Sequence, residues 1–522
     1  MSATWLKDAV FYEIYPQSFY DTNGDGIGDL KGITAKLPYV KSLGCNALWI
    51  NPIYDSPFKD GGYDVRDYKK IAPRYGTVED LKELLDTAHQ MGIRVLLDLV
   101  PGHTSEEHPW FLRSCQEEEN EMYHRYIWTD NAFTRGDTMP FIGGEAPRNG
   151  TYIINYFKSQ PALNYGYTQI NEPLWQQPIT APGPMATREA MKDVMRYWLG
   201  LGCDGFRVDM ADSLVKNDAP EKRGTMAVWK DINAAIHAEY PDAALVSEWN
   251  NPRQALNCGF DMDFYLDWYG NGYSSLLRDF QRDSKGNLRT PDNSYFKATS
   301  TQDMSRFLED YLPAYEATKQ IGLWCLITGN HDTNRPAPFL DDTERRLAYT
   351  FLFTMPGAPF LYYGDEIGMR YRWLPTKEGG YQRTGSRTPM QWDNSKNAGF
   401  STADASLLYL PVDEAADAPT VKAQESESNS LLNHMRAVIA LRHAEPDLQS
   451  YSPFSVYSAK DGSRLFAYKR GKLLLAVNPG LSVETLKLDG KYAPIFAVGA
   501  PTVNDSIACL PAQSFLILKP CE

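Results

Sequence analysis

The 522-residue chain has no uninterrupted apolar stretch of the kind that crosses a bilayer as a helix, which takes roughly 18–20 residues. Its opening Met1-Ser2-Ala3-Thr4-Trp5 leads into mixed polar sequence, unlike the apolar centre of a secretory leader. Neither a membrane span nor a signal peptide is expected. Basic residues are in deficit: 52 Lys and Arg stand against 66 Asp and Glu, a net charge of -14. That balance repels phosphate backbones and anionic headgroups, so nucleic acid is not an expected partner. The seven cysteines (Cys45, Cys115, Cys203, Cys258, Cys325, Cys509 and Cys521) are odd in number and scattered, without CxxC spacing. They support neither a disulfide framework nor a zinc site, and fit the reduced thiols of a cytoplasm.

What is present is an ordinary globular balance of 43% hydrophobic and 23% charged residues, with 32 Tyr and 12 Trp. Aromatic faces on this scale serve cores and sugar rings alike. Along the chain one pattern recurs: an amphipathic helix, a glycine or proline, then a short apolar run ending in polar residues, which is the grammar of βα alternation. Thr77 with Asp80 reads as a capping box, Leu81, Leu84, Leu85 and Ala88 share one helical face, and Gly92 ends the helix before the run 94–100. Helices at 187–201 and 225–239 precede the runs 205–210 and 244–249 in the same way. Runs that are continuously apolar are buried on both faces, as parallel strands are. Eight are found, at 11–16, 47–52, 94–100, 205–210, 244–249, 261–266, 323–329 and 359–364.

Eight parallel strands with intervening helices predict an α/β fold, a closed (β/α)8 TIM barrel. Residues 1–103 and 169–445 are assigned to the barrel. The irregular stretch 104–168, far longer than an ordinary βα loop, is assigned to a subdomain inserted after the third strand. Alternating short strands in 446–522 predict a C-terminal antiparallel β-sandwich.

Barrels of this kind carry their chemistry at the C-terminal ends of the strands. Asp98 and His103 follow the third strand, Arg207 and Asp209 lie on the fourth, Glu248 ends the fifth, and His331 and Asp332 follow the seventh. Three carboxylates, an arginine and two imidazoles around one mouth match acetal chemistry. A retaining glycosidase needs a carboxylate nucleophile and a carboxylic acid about 5–5.5 Å apart, a spacing that adjacent strands supply. Asp209, two residues from Arg207 on one face, is expected to stay ionised and to attack; Glu248, partly desolvated, is expected to serve as the acid. Asp332 and His331 are left to bind sugar hydroxyls.

These residues carry a resemblance to glycoside hydrolase family 13, the α-amylase family, over nearly the whole chain. Asp98-Leu99-Val100-Pro101-Gly102-His103 is similar to its first characteristic region, Gly205-Phe206-Arg207-Val208-Asp209 to the second, Ser247-Glu248-Trp249 to the third and Asn330-His331-Asp332 to the fourth. The resemblance implies Asp209 as nucleophile, Glu248 as general acid/base and Asp332 as the acid that distorts the sugar and stabilises the transition state. Phe11-Tyr12-Glu13-Ile14-Tyr15-Pro16, Gly61-Gly62-Tyr63-Asp64 and Arg387-Thr388-Pro389-Met390-Gln391-Trp392 resemble the exo-acting oligo-1,6-glucosidase and α-glucosidase branch. By that likeness Asp60, Tyr63, His103, Arg207, His331 and Arg387 hold the terminal glucose, with Phe157 in the pocket wall.

The segment 21–29 places oxygen ligands at alternate positions, Asp21, Asn23, Asp25, the Ile27 carbonyl and Asp29, with Gly26 at the turn. It lacks the glutamate that closes an EF-hand loop, since Gly32 stands there. Similar loops of the glucosidase branch hold calcium or magnesium, so a structural ion, not a catalytic one, is expected. Three departures are specific to this chain. Gly102 stands where α-amylases have a calcium-ligating Asn, so no metal is expected there, Ala162 replaces an Asp usual in the branch, and Met210 follows the nucleophile where Val, Thr or a small residue is usual.

The expected activity is a retaining α-glucoside hydrolase acting on short oligosaccharides or small glucosides. A transglucosidase or isomerase of the trehalose synthase or sucrose isomerase type is the open alternative. A non-catalytic carbohydrate-binding protein on the same fold, and a metal-dependent hydrolase with His103 and His331 as ligands, are the lesser readings.

Overall fold

The computed structural model describes residues 3–268, 270–282, 288–379 and 382–521; residues 1, 2 and 522 of the outermost assigned domains lie outside them. Eight strands, β1 (Phe11–Ile14), β2 (Ala47–Ile50), β3 (Arg94–Leu99), β4 (Gly205–Val208), β5 (Ala244–Ser247), β6 (Met262–Phe264), β7 (Leu323–Cys325) and β8 (Phe360–Tyr362), form one sheet in the order β7-β6-β5-β4-β3-β2-β1-β8. Every pairing is parallel. A parallel bridge between Ile327 and Phe360 joins the two ends, so the sheet closes into the expected barrel. Strands stop one to four residues before the apolar runs do, because at the barrel rim the chain leaves the ladder to form the site.

The helices form where their boundaries are written. Thr77 and Asp80 make the reciprocal capping box of the helix Val78–Gln90. The helix Pro182–Leu201 begins five residues earlier than the apolar pattern indicates, because Pro182 at its first position is pre-set for helix and loses no hydrogen bond there. Gly202, with φ 109°, ends it in the left-handed region. Inside the barrel, Trp49, Phe264 and Phe360 meet as an aromatic layer, with centroids 5.3, 4.8 and 6.2 Å apart. Their strands approach from different sides, so the layer is a solid floor on which the catalytic mouth rests.

Between β3 and the helix Pro182–Leu201, the inserted segment carries the helix Pro109–Ser114 and the hairpin Phe141–Gly143 with Thr151–Ile153. Ile127, Ile153, Ala162 and Tyr167 form a small core of their own. At the other end, five antiparallel strands, Phe454–Ala459, Phe466–Arg470, Leu473–Asn478, Ser514–Pro520 and Tyr492–Val498, form one sheet. Glu484–Lys487, Ile507–Leu510 and Thr502–Asn504 form a second. The period of two divides the work: Leu474, Ala476, Leu516 and Leu518 pack between the sheets, whereas Leu473, Leu475, Val477, Phe515 and Ile517 join the barrel core. The strands absent from the sequence reading are chiefly those with one exposed face and no clean alternation, such as Tyr492–Val498.

Candidate active site

Parallel register sets the first contacts. Asp98 on β3 pairs with Arg207 on β4, and Val208 pairs with Ser247 on β5, so Asp209 and Glu248 fall side by side one residue past the strands. The Asp209 N–H donates to the Leu99 carbonyl and the Glu248 N–H to that of Val208, at 2.8 and 2.9 Å, which carries the strand geometry out to both acids. Arg207 then joins three carboxylates. Its Nη1 lies 3.0 Å from Asp98 Oδ1 and 3.0 Å from Asp209 Oδ1, and its Nη2 lies 2.7 Å from Glu248 Oε2. Asp98 is fixed in turn by Trp49 Nε1 at 3.0 Å and the Tyr63 hydroxyl at 2.9 Å.

Met210 turns the chain away with φ 42°, a left-handed conformation uncommon for a side chain of this size. That turn aims its N–H at Glu248 Oε2, 2.9 Å away. Backbone strain is thus concentrated where it orients the Glu248 carboxylate.

Asp332 lies across the mouth. Its Oδ1 accepts from Arg383 and Arg387, each at 2.8 Å, and its Oδ2 lies 3.1 Å from His331 Nε2. These three cations outweigh burial and hold its carboxyl well below the usual carboxylate range. His331 is clasped on its other nitrogen by Glu13 at 2.9 Å and stacked on Tyr63 with ring centroids 5.2 Å apart. Burial works against its charge, but Asp332 and Glu13 raise it to about 9, so it is an imidazolium at neutral pH. Arg383 also reaches Asp60, whose other oxygen accepts from Gln160 at 2.6 Å.

Together these groups enclose a cavity of about 380 Å³, lined by Asp60, Tyr63, His103, Asp209, Glu248 and Asp332 together with Tyr156, Gln160, Met210, Asp212, Leu266, Trp268 and Arg383. Most of its described charged lining is acidic, with Arg383 the one arginine, and Tyr156 and Trp268, about half exposed, are the exposed members of the lining.

Of the residues assigned by resemblance to the sugar, Arg207, His331 and Arg387 are each at most 1% exposed, are outside the residues that line the cavity, and bind carboxylates that face it. Phe157 is not in the lining either. It packs against Gly379 under the Arg383 guanidinium, and its neighbour Tyr156 faces the cavity. The electrostatics of the acid pair also differ from the sequence reading. The Asp209 side chain is 11% exposed and that of Glu248 19%. Burial, then the Glu248 charge, push the Asp209 carboxyl well above its ordinary value, with Arg207 pulling the other way. Local spacing shows Arg207 beside Asp209 but hides the second acid that shares it. Arg383 and Gln160 were not foreseen, because they come from loops whose paths no periodicity marks, and Asp212 because it lies in a single short turn of helix, Ala211–Ser213, past the fourth strand.

The 21–29 loop is closed by its own hydrogen bonds. Asp21 accepts from the N–H groups of Asn23, Gly24 and Gly26 and from the Ser401 hydroxyl. Asp29 caps the helix Leu30–Leu43 through the Gly32 N–H. Among the described residues no group of three or more His, Cys, Asp or Glu is placed to hold a metal ion, and no helix is long and apolar enough to cross a membrane.

A (β/α)8 barrel with an insertion after β3 and convergent carboxylates at its mouth has the design of a glycoside hydrolase. The chain belongs to the alpha-amylase family, glycoside hydrolase family 13: residues 13–450 match the alpha-amylase catalytic domain. It is 33% identical over 487 residues to the trehalose synthase/amylase TreS of Mycobacterium tuberculosis, covering 85% of this chain and 76% of that protein. It is 32% identical over 552 residues to the oligo-1,6-glucosidase of Heyndrickxia coagulans, covering 93% of each. Among solved structures, a mutant isomaltulose synthase from Erwinia rhapontici NX5, crystallised with its natural substrate sucrose, superposes with a TM-score of 0.81 at 27% identity over 99% of both chains.

Proposed function

We propose that this protein is a retaining α-glucosidase that removes glucose from the non-reducing end of short α-glucosides. In this reading the one proton of the Asp209–Glu248 pair sits on Glu248 when substrate is bound, so the Asp209 carboxylate attacks the anomeric carbon while Glu248 protonates the departing oxygen. Glu248 then takes a proton from the incoming hydroxyl as that oxygen displaces Asp209, so two inversions restore the α configuration. Asp332, kept anionic by its three cations, stabilises positive charge as it develops on the ring. The single observation that supports this is the Arg207 guanidinium holding Asp209 and Glu248 on two of its nitrogens at one cavity wall. The cavity volume, at the small end for ligand sites, supports action on one terminal glucose unit.

The family likeness supports a second fate for the same intermediate, transfer to a retained sugar, because the trehalose synthase and the isomaltulose synthase are among its relatives. The deciding experiment incubates the enzyme separately with maltose, isomaltose, sucrose and trehalose and follows products by NMR from the first turnover. Free α-glucose as the first product supports the hydrolase. A new disaccharide supports the isomerase. From sucrose or trehalose, which have no free reducing end, initial β-glucose overturns retention itself.

Two further assignments belong here. A structural calcium or magnesium at 21–29 is supported by the alternation of hard oxygen donors, and the loop lies apart from the cavity lining. A cytoplasmic location is supported by seven cysteines that are all free.

A further inference from the structure

Behind the acid pair lies a further carboxylate, outside the cavity lining. Asp263 sits in the middle of β6, is fully buried, and pairs in register with Ser247, the last residue of β5. Its Oδ1 accepts from the Ser247 hydroxyl at 2.7 Å and from the Trp249 N–H at 3.2 Å, and the N–H groups of Asn250 and Asn251 also favour its charged form. One oxygen therefore holds the residues on either side of Glu248. The chain turns sharply just there: β5 ends at Ser247, and Asn250 has φ 58°, in the left-handed region that asparagine adopts more readily than most residues. Asn250 Oδ1 accepts from the Leu266 N–H at 2.9 Å, which fastens the turn to the chain leaving β6 as well. Burying a carboxyl is unfavourable unless hydrogen bonds offset it, and burial pushes this one up to about 8. Facing no ligand, such an acid acts through the residues it binds.

We infer that Asp263 is a positioning residue for the general acid: by binding Ser247 and Trp249 it fixes the main chain on both sides of Glu248, and with it the direction in which that carboxyl meets the departing oxygen. The part given to Glu248 rests on the glucosidase reading. From one side the Glu248 carboxylate is held by Arg207 on β4 and by the Met210 N–H just beyond it; Asp263 adds a hold from β6, so the acid is set between its two neighbouring strands. Proton transfer depends steeply on such placement. General acid catalysis contributes about 10²–10⁴-fold, and a misplacement of about 1 Å costs roughly 10²-fold. Because Asp263 touches neither the sugar nor the reacting atoms, its loss falls on substrates whose leaving group has to be protonated.

Leaving groups that depart with and without a proton separate this role from a merely structural one. On the full chain, kcat/KM, which reports the first irreversible step, is compared for the disaccharide that the wild type consumes fastest and for α-glucosyl fluoride, whose fluoride leaves without a proton from a carboxylic acid. Asp263→Ala is expected to lower kcat/KM by about 10²-fold on the disaccharide and by less than about three-fold on the fluoride. Asp263→Asn keeps an oxygen that accepts from both partners, and is expected to bring the disaccharide back to within about five-fold of wild type. Ser247→Ala removes one of the two bonds and is expected to show the same selectivity with a loss of about five- to ten-fold; it carries the test if circular dichroism shows Asp263→Ala unfolded. Equal losses on the two substrates, an undiminished disaccharide rate in the folded variant, or no recovery in Asp263→Asn overturns the inference. A wild type that consumes neither substrate overturns the glucosidase reading itself, and with it the part of Glu248 on which the inference rests, so the two failures are told apart.

Discussion

His331 and His103 stand at one mouth in opposite states. His331 lies between two carboxylates, Glu13 and Asp332, and holds its proton to about 9. His103 lies between an amide and a carbonyl, with a lysine nearby, and stays neutral down to about 4. Burial is nearly the same for the two rings, at 1% and 2% exposure, so the difference comes from their partners. Desolvation alone turns an imidazole neutral, and only opposing charge reverses it. The side of the site round His331 carries a network of charges that keeps Asp332 anionic, whereas the side round His103 carries an uncharged ring.

The strongest way to break this contrast is to remove the anion that His331 serves. Asp332→Asn is expected to lower kcat by about 10³-fold while circular dichroism shows a folded barrel; near-normal turnover would end the idea that the network stabilises the transition state. A smaller effect is expected of Glu13→Gln, which leaves His331 only one carboxylate. An alkaline limb of kcat/KM is expected near pH 9 from the His331 proton and should move toward neutrality in this variant, and an unmoved limb would show that Glu13 does not support that charge.

Stability should divide along the same line. His331 has a folded value above that of a free imidazole, so its contribution is fully present below about pH 6.5 and is lost as pH rises through about 9. His103 has a folded value below it, so the unfolded chain binds the extra proton and stability falls as pH drops from about 6.5 toward 4, by about 1.4 kcal/mol per unit within that window. Denaturant titrations of His103→Gln against wild type should therefore converge toward pH 4; parallel curves would contradict a buried neutral ring. The smallest effect is expected far from either imidazole. Chelation of an ion at 21–29 should lower Tm by a few degrees, roughly the effect of a modest ligand linkage, with the initial rate unchanged; immediate loss of activity would place the metal in the chemistry.

Much of the molecule is legible in its residues. The double-sided burial of β1 to β8 shows in continuous apolar runs, and the box of Thr77 and Asp80 marks a helix start, because both depend on neighbours within a few residues. Asp209, Glu248 and Asp332 stand out as polar residues interrupting apolar strand ends. Arg383, Gln160 and Tyr156 give no such signal, since each enters the mouth from a loop whose course is set by distant packing. Phe157 and Tyr156 illustrate the limit: one residue decides which ring faces the cavity, and only the fit of Phe157 against Gly379 makes that choice.

The amino-acid sequence by itself determined the parallel barrel, the identity of the converging carboxylates and the family, since periodicity, turn chemistry and short motifs are local properties. The tertiary structure alone decided how those groups are charged. Protonation depends on desolvation and on partners many residues away, as in the pairing of His331 with Glu13 and of Lys216 with Asn155, and those distances exist only once the chain has closed on itself.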